Sequence, residues 1–141
     1  MHAPGSSPMR LRNRHVMKTA KLPSSQHPIS VKANGSRVRV TVAGRVVADT
    51  RRALTLRESD YPPVHYIPRD DVDMSLLERS ENQSYCPYKG DAAYYSIVLG
   101  GSRGTNAVWT YETPYEAVAE IKEYLAFYPD RVDSIEELSP T

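Results

Sequence analysis

The stretch Arg37-Val38-Arg39-Val40-Thr41-Val42 alternates valine with polar side chains over six residues. Alternation at a period of two is typical of a β-strand with one buried and one solvent-facing side. The segment Ala43-Gly44 follows, and Arg45-Val46-Val47-Ala48-Asp49-Thr50 then continues in strand-like sequence. Because a two-residue connection ending in glycine favours a tight turn, these segments predict a β-hairpin.

Further strands are predicted where β-branched and aromatic residues cluster. They cover residues 53–56, 64–67, 92–99, 106–111 and 126–128, and residues 132–135 are read as a strand or a tail. Glycines at 100, 101 and 104 are expected to turn the chain, so that 92–99 and 106–111 form a second hairpin.

The first of two predicted helices begins at Asp70 or Asp71, which supply a capping carboxylate. Leu76 and Leu77 give this helix an apolar face, and residues 81–83 are read as the loop that leaves it.

The second predicted helix begins at Thr113, with Pro114 in the first helical position and Glu116 completing a capping box. The predicted fold class is therefore mainly β (α+β): a small twisted antiparallel sheet or a barrel-like β domain with two short helices.

Length and charge predict one domain preceded by an extension. The chain has 141 residues, which suits a single hydrophobic core. Its first 21 residues hold five basic side chains and no acid, so the remainder carries a net charge of −4. We interpret residues 1–30 as a disordered basic N-terminal extension and residues 31–141 as a single compact β-rich domain.

Composition also restricts partners and location. A weakly acidic body argues against a nucleic-acid-binding domain, because phosphate backbones are bound by clustered cations. No apolar run reaches the roughly 18 residues of a membrane span, and none resembles a secretory signal. The single cysteine suits a reducing compartment, so a cytoplasmic location is expected, and a homodimer is left open.

The most chemically concentrated segment is Cys86-Pro87-Tyr88-Lys89-Gly90-Asp91. Cys86 is a candidate nucleophile if the Lys89 charge favours its thiolate, although a lone cysteine is commonly a small buried residue. A thiol enzyme would also need a base, and His65 is expected to point away from its strand neighbours. Lys89, on a tight loop, is a candidate contact for phosphate or carboxylate or for a neighbouring aspartate.

Acidic residues at the first predicted helix give a weaker signal. Asp70, Asp71 and Asp73 resemble a Mg²⁺-binding set, but acids at a helix start ordinarily cap it and oppose its dipole. No metal site is predicted, and the residues do not identify a cofactor.

Aromatic residues suggest a pocket, because every tyrosine, the tryptophan and the phenylalanine lie after residue 60. Mostly apolar walls with a few polar groups are typical of ligand sites, whereas aromatics on strands are also ordinary core residues. The candidate ligand-binding residues are Arg51, Tyr66, Arg69, Cys86, Tyr88, Lys89, Tyr95, Trp109 and Tyr111, with the arginines and Lys89 at the rim.

These motifs resemble the family catalogued as domain of unknown function 427, over roughly residues 31–133. The resemblance rests on Val47-Ala48-Asp49-Thr50-Arg51, Tyr66-Ile67-Pro68-Arg69, Cys86-Pro87-Tyr88-Lys89-Gly90, Ala93-Tyr94-Tyr95, Trp109 and Tyr111 with Pro114, and Ala126-Phe127-Tyr128 with Val132. It implies a compact, strand-rich, barrel-like fold without an established activity. The family sometimes carries a nucleotidyltransferase-like label.

Three hypotheses of function follow. The first is a module that binds a small anionic or aromatic ligand in a tyrosine-rich pocket around the Cys-Pro-Tyr-Lys-Gly motif. The second is an enzyme, either a thiol enzyme acting through Cys86 or a nucleotide-using transferase acting through Lys89 and Asp70. The third is a structural or interaction protein without a ligand, in which the motif only shapes a turn.

Overall fold

The structure is a computed structural model that describes residues 19–139. Ten strands form three antiparallel sheets in this part of the chain. The strands are β1 (Ile29–Ala33), β2 (Arg37–Val42), β3 (Arg45–Thr50), β4 (Leu54–Glu58), β5 (Val64–Tyr66), β6 (Leu77–Cys86), β7 (Gly90–Ile97), β8 (Val108–Thr110), β9 (Leu125–Phe127) and β10 (Ser134–Leu138). Short 3₁₀ segments lie at Arg69–Asp71, Met74–Leu76, Val98–Gly104, Glu116–Ile121 and Pro129–Arg131.

The first sheet contains the hairpin that the alternating valines predict. Its strand order is β10-β2-β3, and Val42 pairs with Arg45 across the turn. Ala43 and Gly44 both have positive φ, as a tight two-residue hairpin turn requires. The side chain of Asp133 accepts a hydrogen bond from the Ala43 N–H at 2.7 Å, which helps to hold an alanine in this unusual conformation.

The second and third sheets meet at one bridge. The second has the order β1-β4-β5, and the third has the order β6-β7-β8-β9. Ile67, just after β5, and Leu125, at the start of β9, exchange backbone hydrogen bonds of 2.8 Å in both directions. The mainly β prediction is confirmed, and the described residues form three linked sheets without closing into a barrel.

Two groups of buried side chains lie between these sheets. The first takes the inward valines of β2 together with Ile97, Leu125 and Phe127. The second surrounds the Cys86 end of β6 and includes Tyr66, Trp109 and Tyr111. Residues that the sequence analysis proposed for a ligand pocket are therefore buried in the hydrophobic core of the second group.

The region of the first predicted helix contains two 3₁₀ turns followed by a strand. The turns are Arg69–Asp71 and Met74–Leu76, and the side chain of Asp73 caps the second turn through the Ser75 N–H. The predicted loop at residues 81–83 is wrong, because these residues lie in β6. Glu81 and Asn82 lie at a register irregularity between Arg79 and Gln83, and the pairing of β6 with the long strand β7 on both sides of it carries the strand through them despite their low strand propensity.

The second predicted helix is replaced by short 3₁₀ turns over Glu116–Ile121, interrupted at Val118, whose φ of −128° is not helical. The capping box is wrong, because Tyr115 occupies the cap position and makes no side-chain capping hydrogen bond. Val118 and Ile121 are fully buried, so this segment makes apolar contacts with the core without forming an α-helix.

The predicted N-terminal extension falls partly outside the described residues. Residues 1–18 lie outside them, and their predicted disorder stays a prediction. Within residues 19–30, β1 begins at Ile29, and Pro28 accepts a hydrogen bond from the Ser59 N–H at 2.9 Å. This part of the predicted extension therefore contacts the sheets.

Candidate functional site

The motif segment forms the turn between β6 and β7. Cys86 pairs with Gly90, and the Lys89 N–H donates to the Cys86 carbonyl at 3.1 Å. Gly90 has φ +106°, and a Cβ there would approach the Thr113 carbonyl oxygen to 3.4 Å. Glycine permits this left-handed backbone beside a neighbouring loop. We call residues 86–90 the motif turn.

The Lys89 side chain points into the protein. Its Nζ donates to Oε1 of Glu58 at 2.5 Å, and the two side chains are only 1% and 2% exposed. Lys89 is therefore not at the rim of a pocket, where the sequence analysis placed it. A buried ion pair is tolerated because each charge compensates the other at close range.

The second oxygen of Glu58 is bound by His27. The His27 Nε2–H donates to Oε2 at 2.7 Å. The imidazole also lies flat on the Tyr88 ring, with centroids 3.9 Å apart and planes inclined by 6°. One carboxylate thus joins a buried ammonium to a partly exposed, stacked imidazole.

The chain around His27 is fastened to the motif turn. Lys21 donates its N–H to the Pro87 carbonyl at 2.8 Å, and Ser24 and His27 exchange backbone hydrogen bonds of 3.1 Å. The Ser24 hydroxyl accepts a further bond from the His27 N–H at 3.2 Å. These contacts fix the position of the imidazole above Tyr88.

Aromatic side chains surround the buried ion pair on its inner side. The Trp109 indole N–H donates to the Tyr66 hydroxyl at 3.1 Å, and the two rings meet edge to face. Burial raises the pKa of both Tyr66 and Tyr111. The electrostatic effects of the nearby Cys86 and Glu58 raise both pKa values further. The Tyr111 hydroxyl is buried without a hydrogen-bond partner among the described residues.

Cys86 is 2% exposed within this aromatic group. His65, the base considered for it, instead bonds Thr55 and Glu137 through its two ring nitrogens. The contacts of His65 therefore do not support a Cys86 and His65 pair.

Arg69 and Tyr95 form a separate contact. Arg69 Nη1 donates to the Tyr95 hydroxyl at 3.2 Å. Arg79 lies over the same ring and forms an ion pair with Glu112 at 2.6 Å. These contacts give Tyr95 cationic neighbours outside the Glu58 group.

Arg51 lies in a third place, an open polar surface pocket that it shares with Arg37, Asp49, Arg52 and Asp71. Arg37 and Asp49 form a two-bonded ion pair at 2.7 and 2.6 Å across this surface. The structure thus gathers six of the predicted residues around Glu58 and leaves three elsewhere. The six are Tyr66, Cys86, Tyr88, Lys89, Trp109 and Tyr111.

The acidic residues near the 3₁₀ turns have structural contacts. Asp71 accepts hydrogen bonds from Thr50 at 2.7 Å and from Arg52 at 3.3 Å, and Asp73 binds Ser75. Among residues 19–139, no group of three or more His, Cys, Asp and Glu side chains is arranged to hold a metal ion.

Sequence reasoning missed Glu58 and His27. Glu58 shares the inward side of β4 with Leu54 and Leu56, so the period of two carried a signal for a buried acid. His27 lies in the segment predicted to be disordered, and its contacts depend on the folding of β4 and of the motif turn, which are far away in the chain.

Fold and site together define a small β-rich domain with a buried, aromatic-lined charge cluster at one hairpin. The sequence matches the family model NTP_transf_9, described as "Domain of unknown function (DUF427)", over residues 30–138. The chain belongs to this family. Among curated proteins, none matches it. No helix within the described residues is long and apolar enough to cross a membrane.

Proposed function

We propose that this domain binds a small planar aromatic molecule carrying a ring N–H, held between Tyr88 and Glu58 at the motif turn. The observation that carries the proposal is the position of His27. Its ring already stacks on Tyr88 while its Nε2–H bonds Glu58. Stacking combined with a charge-assisted hydrogen bond is an effective way to hold a nitrogen heterocycle.

Charge favours an aromatic ligand over an anionic one. Lys89 is the predicted anion contact, but its charge is compensated by Glu58 inside the protein. The group presented beside Tyr88 is a carboxylate oxygen, which attracts N–H donors and repels anions. Of the two predicted ligand types, the aromatic ligand is therefore better supported than the anionic ligand.

In this proposal the ligand takes the place of the His27 side chain. The segment around His27 is held by backbone hydrogen bonds at Lys21 and Pro28, which do not involve the imidazole. The imidazole can therefore leave Tyr88 while the segment stays attached. His27 then acts as an internal competitor, and its removal should strengthen binding.

A thermal-shift titration of the full chain tests this proposal. The probes are imidazole and adenine, which carry a ring N–H, with phosphate and citrate as anionic controls. A ligand at 100 times its dissociation constant stabilises the native state by about 2.7 kcal/mol, which moves the melting temperature measurably. We expect a heterocycle to stabilise wild type, to bind more tightly to His27→Ala, and to bind more weakly to Tyr88→Leu.

His65→Ala is the matched control, since His65 also bonds a glutamate but lies on β5 away from Tyr88. It should leave heterocycle binding unchanged. Equal stabilisation by phosphate and by heterocycles, or equal responses of His27→Ala and His65→Ala, would contradict the proposal. If no probe changes the melting temperature, the result would favour the structural alternative, in which the ion pair only holds β4 to the motif turn.

The enzyme alternatives have weaker support. Cys86 is almost completely buried, whereas a nucleophile must reach its substrate. Lys89 is likewise buried and paired with Glu58, which leaves a transferase little access to its ammonium. A low-pKa, alkylation-sensitive Cys86 would restore the thiol hypothesis.

A further inference from the structure

A second site is indicated by a cavity between the sheets. This cavity has a volume of about 240 Å³ and is partly open. Val40 of β2 and Ile135 of β10 line one side, and Val64, Ile67 and Phe127 line the other. It lies where the first sheet faces the bridge between the second and third sheets.

The side chains that line the cavity are apolar apart from His65. Pro63 and Pro129 complete the lining, and neither has a backbone N–H to donate. The backbone groups of Ile67 are bound to Leu125. Among the described lining residues, His65 therefore carries the only polar side chain.

Hydrogen bonds at both ring nitrogens orient the His65 ring. The Ser36 N–H donates to Oδ1 of Asn34 at 2.8 Å, which assigns Nδ2 as the donor to the Thr55 hydroxyl at 2.9 Å. The Thr55 hydroxyl can then donate to Nδ1 of His65 at 3.0 Å. Nδ1 can thus accept from Thr55, which leaves Nε2 as the ring nitrogen that donates.

The Nε2–H of His65 points to a replaceable partner. It donates to Oε1 of Glu137 at 3.0 Å, and the Glu137 side chain, whose Oε2 also accepts a long hydrogen bond from Asn34 Nδ2 at 3.4 Å, is 51% exposed. An exposed contact of this kind contributes little to stability, so Glu137 can leave at small cost. A fixed N–H donor then stands beside an apolar cavity.

We propose that this cavity binds a small, uncharged, apolar molecule with one acceptor oxygen, such as a single-ring ketone, which takes the place of Glu137 on His65. The apolar walls select the body of the ligand, and the donor selects the oxygen. The nearby carboxylate of Glu137 disfavours an anion. The volume is below the roughly 300–1,000 Å³ of drug-sized pockets, so the ligand is small.

Methyl NMR of the full chain tests this site with acetophenone as the probe and ethylbenzene as its match without an acceptor. Acetophenone should cause saturable shifts at the methyl groups of Val40, Ile67 and Ile135. A net hydrogen bond of about 0.5–1.5 kcal/mol predicts that ethylbenzene binds roughly three- to tenfold more weakly. The methyl groups of Val118 and Ile121, in the group around Glu58, should not move.

Two variants of neighbouring residues sharpen the test. Glu137→Ala removes the competing acceptor and should tighten acetophenone binding by roughly two- to fivefold without affecting ethylbenzene. Glu136→Ala, the adjacent position on the opposite side of β10, should change neither. His65→Phe should abolish the preference for acetophenone.

Three results would overturn the site. They are the absence of saturable shifts at the cavity methyls, equal affinities of the two probes in wild type and Glu137→Ala, and shifts at Val118 and Ile121 instead. Cavity signals that change on dilution without any probe would also overturn it, because they would indicate that a second copy covers the cavity. The absence of shifts at the cavity methyls, equal probe affinities and signals that change on dilution do not bear on His27 and Tyr88, so the two proposals can fail separately.

Discussion

Lys89 and Glu58 connect two sheets through a buried ion pair. Lys89 lies in the turn of the third sheet and Glu58 ends β4 of the second, and their Nζ and Oε1 atoms are 2.5 Å apart. Removing one partner leaves an uncompensated charge inside the protein, which is far more costly than losing a surface ion pair.

Lys89→Met should therefore lower the free energy of unfolding by about 3–5 kcal/mol, measured by urea denaturation. Arg79→Met is the control, because its pair with Glu112 is 52% and 40% exposed and should contribute at most about 1 kcal/mol. Similar losses in both variants would show that Glu58 is not confined to a dry environment.

Removing the hydroxyl of Tyr66 or of the neighbouring Tyr111 should affect the stability of the protein differently. Tyr66→Phe leaves the buried Trp109 N–H without its acceptor and should cost about 1–3 kcal/mol of stability. Tyr111→Phe removes a buried hydroxyl that has no hydrogen-bond partner among the described residues, so it should be neutral or stabilising. Unfolding curves followed by circular dichroism measure both, and a costly Tyr111→Phe would reveal an unrecognised partner.

Acid should weaken the contribution of the Arg37 and Asp49 pair. Hydrogen bonds from Arg37 hold the pKa of Asp49 below its usual value. The stabilisation is therefore fully present above the unfolded pKa, near pH 4, and is lost as pH falls through the lower folded pKa. The deficit of Arg37→Met against wild type, from urea unfolding, should be larger at pH 7 than at pH 2.

Arg45→Met is the control for this pH dependence, since Arg45 is an exposed residue at the start of β3. Its deficit should stay constant between the two pH values. A constant deficit in Arg37→Met would contradict the assignment.

Gly104 is required by close packing against Ile97. A Cβ at position 104 would lie 2.2 Å from the Ile97 carbonyl oxygen and 3.1 Å from its carbon, both backbone atoms. Gly104→Ala should thus cost at least about 1–3 kcal/mol through overpacking. Gly35→Ala, with no atom within 4 Å of its Cβ, should change stability by less than about 0.5 kcal/mol, and thermal melts compare the two.

Prediction from the sequence succeeded where the signal was local. The alternating valines of β2 and the two-residue turn before Arg45 contain the hairpin within 14 residues of chain, and the structure forms it. The β7 and β8 pair is also confirmed. Both pairs depend on near neighbours in the chain, so periodicity is enough to identify them.

Prediction failed where distant partners decided the local structure. Glu81 and Asn82 have a loop-like sequence but lie in β6, because β6 pairs with β7 on both sides of the register irregularity that contains them. Thr113 begins a capping box without becoming a cap, since the following segment packs against the second core group as a 3₁₀ turn. In both places tertiary contacts outweigh weak local preferences.

By itself the sequence determined the mainly β class, the first hairpin and a tight loop at the Cys-Pro-Tyr-Lys-Gly motif. These follow from side-chain alternation and from glycines and prolines that restrict the nearby backbone. Only the tertiary structure decided that Lys89 is buried on Glu58 and that His27 lies on Tyr88. The reason is physical: an ion pair and a ring stack form between residues far apart in the chain, and burial determines both the partner and the strength of each contact.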